Sequence, residues 1–424
     1  MKLVILRVKQ SMRMGECILD KTLLILGAGP DQIPGILKAK EMGIYTIALD
    51  GNENADGATY ANEFYKASIK HFEQIEQFIK TYTTRQIDGV IAFGVDIASI
   101  IAKTADLLGV NHTCSEQSAT LSENKFLSKE FMLKHNINIP HYQKIHTIDE
   151  INCFASVNNF PVILKPIDNS AARGISFISS SKDIKKAFEE ALTNTKQGYL
   201  LAESFLAGPQ ISSESFIIDG EIYNIGFADR NYDDLEKFLP NIIENGGDLP
   251  SIYMNENHKK QLYSYLKIIS KELNIKNGII KGDLVIHNDE LYIIEFALRL
   301  SGGNFSTIEI PYSTGVDFLK IAILLHLGFS IDKQDLEIKS NKSLSLRYKF
   351  AEELTKGKIK NIQKPLTKEN IIFENFHFKA GDTLLQKTAN HASRLGFAIA
   401  TGSSRDEAIK NAQCYLDQVE ITLE

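Results

Sequence analysis

Two carboxylates and an arginine in GDLVIHNDELYIIEFALRLSGG, residues 282–303, have types and spacing suited to holding a cation and phosphates. The turn-rich stretch His287-Asn288-Asp289-Glu290 separates two apolar runs and reads as a hairpin. With Asn288 to Glu290 as the loop, Asp283 falls directly opposite Glu295. Strand alternation then puts Leu291, Ile293, Glu295, Ala297 and Arg299 on one face, and Tyr292, Ile294, Phe296 and Leu298 on the other. Like charges directly opposite on a sheet repel, so a positive charge belongs between them. Mg²⁺, or Mn²⁺ in its place, suits such a site, because one or two carboxylates plus substrate phosphates can complete its oxygen shell. The competing reading is a structural ion pair of Glu295 with Arg299 or a lysine.

Four other pieces have a use if a nucleoside triphosphate is the ligand. Lys125 stands at a helix start and Lys165 at the end of the buried run FPVILKP, where both could offset phosphate charge. The loop Asp168 to Gly174 is rich in small residues, so its backbone amides could approach phosphate, and LLAESFL carries Glu203 on a strand edge suited to a purine. Taken singly, Lys125 reads equally as a solvated helix lysine, Lys165 as a snorkelling strand end and Asp168 as a turn former.

The elements that must position these residues follow from the apolar periodicity. Residues 22 to 110 alternate strand and helix: TLLIL, a helix from Ile33 to Met42, IYTIALD, a helix near 71 to 82, and GVIAFG. The turn Gly27-Ala28-Gly29 followed by Asp50 suggests a dinucleotide fingerprint, but Gln32 stands where its third glycine belongs, so a plain strand-to-helix turn is expected. A helix pair over 116 to 140 leads into an α+β section, a helix over 255 to 273 precedes the acidic hairpin, and a strand-rich piece follows from 331. The fold class is thus α/β plus α+β, with a doubly wound parallel first domain.

At 424 residues the chain is long enough for two or three domains. A net charge of -6 gives no electrostatic case for nucleic acid or an anionic membrane. Cys17, Cys114, Cys153 and Cys414 show neither a disulfide framework nor metal-ligand spacing, which fits a reducing cytoplasm. The longest apolar run, Phe318 to Phe329, contains Lys320 and His326, and residues 1–20 read as a tail before the first strand. No Ser-His-Asp or Cys-His nucleophile has a recognisable local signature.

Taken in order, SENKF, FPVILKPIDNSAARGISFI, LLAESFLAGPQISSESFIIDGEI, GDLVIHNDELYIIEFALRLSGG and HASRLGFAIATGSSRDEAIKNA resemble the ATP-grasp superfamily, the group that includes glycinamide ribonucleotide synthetase, biotin carboxylase and the carbamoyl phosphate synthase large subunit. The resemblance implies three domains: a pre-ATP-grasp domain over 21–115, an ATP-grasp domain over 116–330 with a lid near 140–206, and a strand-rich C-terminal domain over 331–424. It implies that Lys125 and Lys165 bind ATP phosphates under a closing loop that includes Ser170, Arg173 and Gly174. Glu203, Ser204, Phe205 and Leu206 would read the adenine and Gln210 the ribose, while Asp283 and Glu295 would hold Mg²⁺. Arg299 and Lys165 would act on the reacting groups. Arg230, His391 and Arg394 are further candidate contacts, as are the amides of Ser301, Gly302 and Gly303.

The activity implied is ATP-dependent joining of a small carboxylate to an amine through an acyl phosphate, with a homodimer as the assembly to expect. A bicarbonate-activating carboxylase and a non-catalytic ATP-binding module are the rivals. Two departures from the family pattern stand out: Gln210 replaces an acid, and Ala297 replaces an asparagine that would ligate metal.

Overall fold

Thr22–Leu26 (β1) is buried along its whole length, as befits the centre of a parallel sheet covered on both faces. In the computed structural model, which describes residues 18–351, 354, 356–366, 368–384 and 388–424, β1 pairs with β2 (Tyr45–Asp50) and β4 (Gly89–Ile91). An edge strand that the sequence reading missed, β3 (Glu63–Lys66), completes the order β3-β2-β1-β4. Helices α1 (Ile33–Glu41), α2 (Phe72–Thr81) and α3 (Ala98–Leu108) connect or flank the strands. The expected N-terminal tail lies, as far as residue 17, outside the described residues. At the Gly27-Ala28-Gly29 turn, Asp50 Oδ2 accepts the Ala28 N–H at 2.9 Å and Gln32 Nε2 donates to the Phe93 carbonyl at 2.7 Å. The acid and the amide therefore close the turn itself.

The helix pair is α4 (Glu116–Glu123) and α5 (Lys125–Lys134), with Asn124 between them. Asn124 caps α5 by accepting the N–H groups of Phe126 and Leu127. This cap fixes Lys125 as the first residue of the helix. A small antiparallel sheet follows, made of β5 (Tyr142–Ile145), β6 (Val162–Pro166), β7 (Ser176–Ile178) and β8 (Leu200–Ser204) in the order β5-β8-β6-β7. Two helices, α6 (Ile148–Asn158) and α7 (Ile184–Thr193), pack against it through a separate apolar core around Phe154, Leu164 and Leu200.

The largest sheet has eight strands: β9 (Gln210–Ile218), β10 (Glu221–Asn231), β11 (Gly246–Leu249), β12 (Gly278–His287), β13 (Glu290–Ala297), β14 (Ser343–Lys349), β16 (Ile371–Phe376) and β18 (Gly396–Gly402). Its order is β13-β12-β9-β10-β11-β14-β18-β16, so strands from the last hundred residues extend the same sheet that carries the acidic hairpin. The short strands β15 (Gly357–Gln363), β17 (Thr383–Leu384) and β19 (Glu420–Leu423) form their own sheet. Helix α8 (Glu256–Glu272) covers one face of the large sheet, and α9 (Phe318–His326) lies between it and the first domain. One apolar core runs from Leu23 and Phe93 through Phe216 and Phe318 to Phe397, with Phe216 and Phe318 stacked at 4.1 Å. Among the described residues no helix is long and apolar enough to cross a membrane.

Candidate active site

The hairpin sets Asp283 opposite Glu295, but by a route the sequence did not reveal. Its loop is the two-residue Asn288–Asp289, both at positive φ (50° and 63°), in place of the expected three-residue loop. His287 pairs with Glu290, and a bulge at Ile294 between the Leu284–Ile293 and Asp283–Glu295 pairs then shifts the register by one. The extra residue inverts the side-chain alternation. Leu291 and Ile293 therefore share the apolar cluster of Phe296 and Leu298, and are not on the face of Glu295 as the alternation implied. Ile294 and Glu295 both line a cleft of about 250 Å³ between the small sheet and the large one.

Lys125 Nζ lies 3.2 Å from Glu295 and also donates to the Asn169 carbonyl at 3.0 Å. Burial opposes ionisation of Glu295, but Lys125, Lys281 and Lys165 outweigh it and hold the carboxyl at about 2. Across the hairpin, Asp283 contacts Lys281 and lies 3.4 Å from Arg230, which pairs with Glu244 at 3.1 Å. There too burial works against the charge, and Lys281 and Arg230 keep the carboxyl below its ordinary range despite Glu295. The two acids tolerate each other because cations bracket both.

Glu203 is 2% exposed and takes Lys165 Nζ on Oε2 at 2.7 Å. Lys129, one helical turn beyond Lys125, stands 3.3 Å from Oε1 in an ion pair outside hydrogen-bond geometry. Ser204, Phe205, Leu206 and Gln210 line the same cleft. The N–H groups of Ser204 and Phe205 are used by the carbonyls of His141 and Pro161. Ser170, Ala171 and Ala172 form the opposite lip, where His391 N–H holds the Ala171 carbonyl at 3.2 Å. Arg173 and Gly174 are not brought to the cleft wall. The Arg173 guanidinium folds back onto Asn169 (2.8 Å) and Ser170 (3.0 Å), and Gly174 packs so closely that a Cβ would meet Asn194 at 2.7 Å.

Arg299 lies two residues beyond the end of β13, held by Asp96 and by a 2.7 Å bond to its neighbour's carbonyl. It lines both the cleft and an adjoining cavity of about 590 Å³, which is also bordered by Arg230, Lys281 and His391. Ser301, Gly302 and Gly303 lie on this cavity, with the Ser301 N–H donated to Glu214 at 2.9 Å. Burial pushes Glu214 up to about 7, only partly offset by that bond. Arg394 lies over the Tyr348 ring at 3.6 Å and donates to the Glu244 carbonyl at 2.7 Å.

The sequence reading passed over Asp96, Lys129, Lys281 and Glu214. Lys129 had a signal in its four-residue spacing from Lys125, and Lys281 in sharing a strand face with Asp283. Asp96 and Glu214 had none, because their partners arrive from distant strands.

Residues 123–303 match the family described as phosphoribosylglycinamide synthetase, ATP-grasp (A) domain. The carbamoyl phosphate synthase large chain of Campylobacter jejuni is 24% identical over 322 residues, covering 72% of this chain and 28% of that one. The chain thus spans under a third of the length of such relatives. The formate-dependent phosphoribosylglycinamide formyltransferase of Bacillus subtilis is 23% identical over 419 residues, 94% of this chain and 98% of that protein. An L-amino acid ligase from Bacillus licheniformis has a similar fold, with a TM-score of 0.78 at 17% identity over 95% of this chain and 99% of that one. The segment 123–303 thus matches an ATP-grasp domain family, and the described chain shares the fold of that ligase.

Proposed function

We propose that the protein is an ATP-dependent carboxylate-amine ligase that works through an acyl phosphate and releases ADP and phosphate. The observation that carries this reading is the meeting of Asp283, Glu295, Lys125, Lys165 and Arg299 in one cleft. We assign the work to three domains, 21–115, 116–330 and 331–424, with a lid near 140–206.

The residues fit Mg²⁺ in a particular way. Among the described residues no group of three or more His, Cys, Asp or Glu side chains could hold a metal alone. Asp283 and Glu295 supply two hard oxygen donors kept ionised, which suits an ion whose remaining ligands are phosphate oxygens and water. When bound, Mg²⁺ would supply charge neutralisation at the β- and γ-phosphates. Ala297 offers no further ligand.

Lys125 and Lys165 orient the triphosphate, the segment beyond the end of β8 at Phe205 and Leu206 takes the base in place of the strand edge expected at Glu203, and Gln210 bonds a ribose hydroxyl. A substrate carboxylate oxygen beside Arg299 attacks the γ-phosphorus, the bond to the bridging oxygen breaks and ADP leaves. The amine nitrogen then attacks the acyl carbon, the C–O bond to phosphate breaks, and the amine proton passes to solvent. Positioning and fixed positive charge do most of this work.

The test is Mg²⁺-dependent ADP release across a panel of carboxylates, with and without amines. We expect release that requires both partners and falls at least about a hundredfold in Glu295→Ala. Release with bicarbonate alone would favour a carboxylase. ATP binding without release under any pair would favour a binding module.

A further inference from the structure

Glu309 has no part in the chemistry above, yet it lines the 590 Å³ cavity that opens beside Arg299. It ends a short π-turn, Phe305–Glu309, that begins at Asn304 in the left-handed region (φ 68°). Glu309 is 3% exposed, and among the described residues no hydrogen bond or ion pair reaches its carboxyl. The charged groups nearest in effect, Glu244 and Asp248, are acids. Their own cations are already committed: Glu244 to Arg230 and Arg394, Asp248 to Arg347 and Arg405. Burial, reinforced by these two acids, pushes the Glu309 carboxyl well above its ordinary range.

A buried carboxyl with no partner is costly to keep unless something outside the chain completes it. Asp31 borders the same cavity and is also raised by burial, with His377 as its offsetting charge. Phe305 and Phe397 add apolar wall. We propose that Glu309 anchors a positively charged group of the amine substrate, so that the acceptor is a cationic amine with an apolar body and not a phosphorylated one. A phosphate placed against Glu309 and Asp31 would meet two carboxyls on that wall, while the cations of the cavity, Arg230, Lys281, Arg299 and Arg394, each already face a carboxylate of Glu244, Asp283 or Asp96. The inference rests on the ligase reading for the identity of the adjoining cleft.

The test uses the full chain saturated with MgADP. Cadaverine, agmatine and L-lysine are titrated by calorimetry beside ribose 5-phosphate and succinate, in the wild type and in Glu309→Gln. The expected result is binding of at least one cationic probe, weakened about tenfold or more by Glu309→Gln, with MgADP affinity unchanged. Equal binding to both proteins would overturn the proposal. So would selection of ribose 5-phosphate or succinate by the wild type, or no cationic probe bound at about 10 mM, results that need no folded variant. Failure of MgADP to bind would remove the ligase reading and this inference together, whereas MgADP binding without amine binding removes the inference alone.

Discussion

Lys129 Nζ lies 3.3 Å from Glu203 Oε1 while Lys165 Nζ holds Oε2 at 2.7 Å, so one buried carboxylate carries two lysines. Burial presses Lys129 down to about 8, with Lys165 adding to the effect and Glu203 opposing it. Removing the acid leaves two ammonium groups facing each other away from water. Glu203→Gln is therefore expected to destabilise the fold by about 3–5 kcal/mol, and Lys129→Met by much less, because Lys165 still neutralises the carboxylate. Urea unfolding of the two variants checks the order; a larger loss in Lys129→Met would contradict it.

His326, the last residue of α9, is 5% exposed and bonds through Nδ1 to the Ala322 carbonyl at 2.8 Å. Burial pulls its pKa from 6.5 to about 4. The unfolded chain therefore binds a proton near pH 6.5 that the folded chain refuses until near pH 4. The stability this residue contributes is present above pH 6.5 and is lost as pH falls toward 4, by about 3 kcal/mol in all. Urea midpoints at neutral and acidic pH should converge in His326→Gln relative to the wild type. An unchanged difference would show that the ring is not the group responsible.

Gly94 and Gly302 bring the end of the first sheet against the loop after Arg299. A Cβ on Gly94, which has φ +70°, would meet Gly302 Cα at 2.9 Å and the Ser301 carbonyl at 3.1 Å. Gly94→Ala should cost about 2 kcal/mol, from left-handed strain plus the collision. Because the displaced loop borders the second cavity and not the cleft proposed for the nucleotide, the proposed ligase activity should show KM for the carboxylate or amine rising more than KM for ATP. Thermal denaturation and steady-state ADP release measure the two parts.

Much of this architecture was legible because apolar periodicity and turn residues are local. TLLIL and the helix start at Lys125 both state their structure within a few residues. The pairing of Asp283 with Glu295 was also readable, but through the wrong loop, since a bulge leaves no compositional mark at Ile294. Edge strand β3 was missed because Glu63–Lys66 is short and mostly polar, which is how edges are blunted. Arg173 is a different case, since its local bonds were not legible in the sequence. A cation in a phosphate-type loop invites a ligand role, whereas Asn169 and Ser170 are near enough to claim it first. Long-range partnerships such as Arg299 with Asp96 depend on how the domains meet and have no counterpart in the local sequence.

The bulge at Ile294 also insulates the carboxylate pair from the hairpin tip. From Leu284 outward the two strands follow the register of the two-residue turn, and from Asp283 inward they follow one that a three-residue turn would give without any bulge. Two turn geometries of the same chain length thus converge on the same facing acids. Substitutions at Asn288 or Asp289 that forbid positive φ would push the tip toward that second register, which keeps Asp283 opposite Glu295 but turns Leu291 and Ile293 out of the apolar cluster. The acids are indifferent to the choice of turn, and the two buried side chains between them and the tip are what decide it.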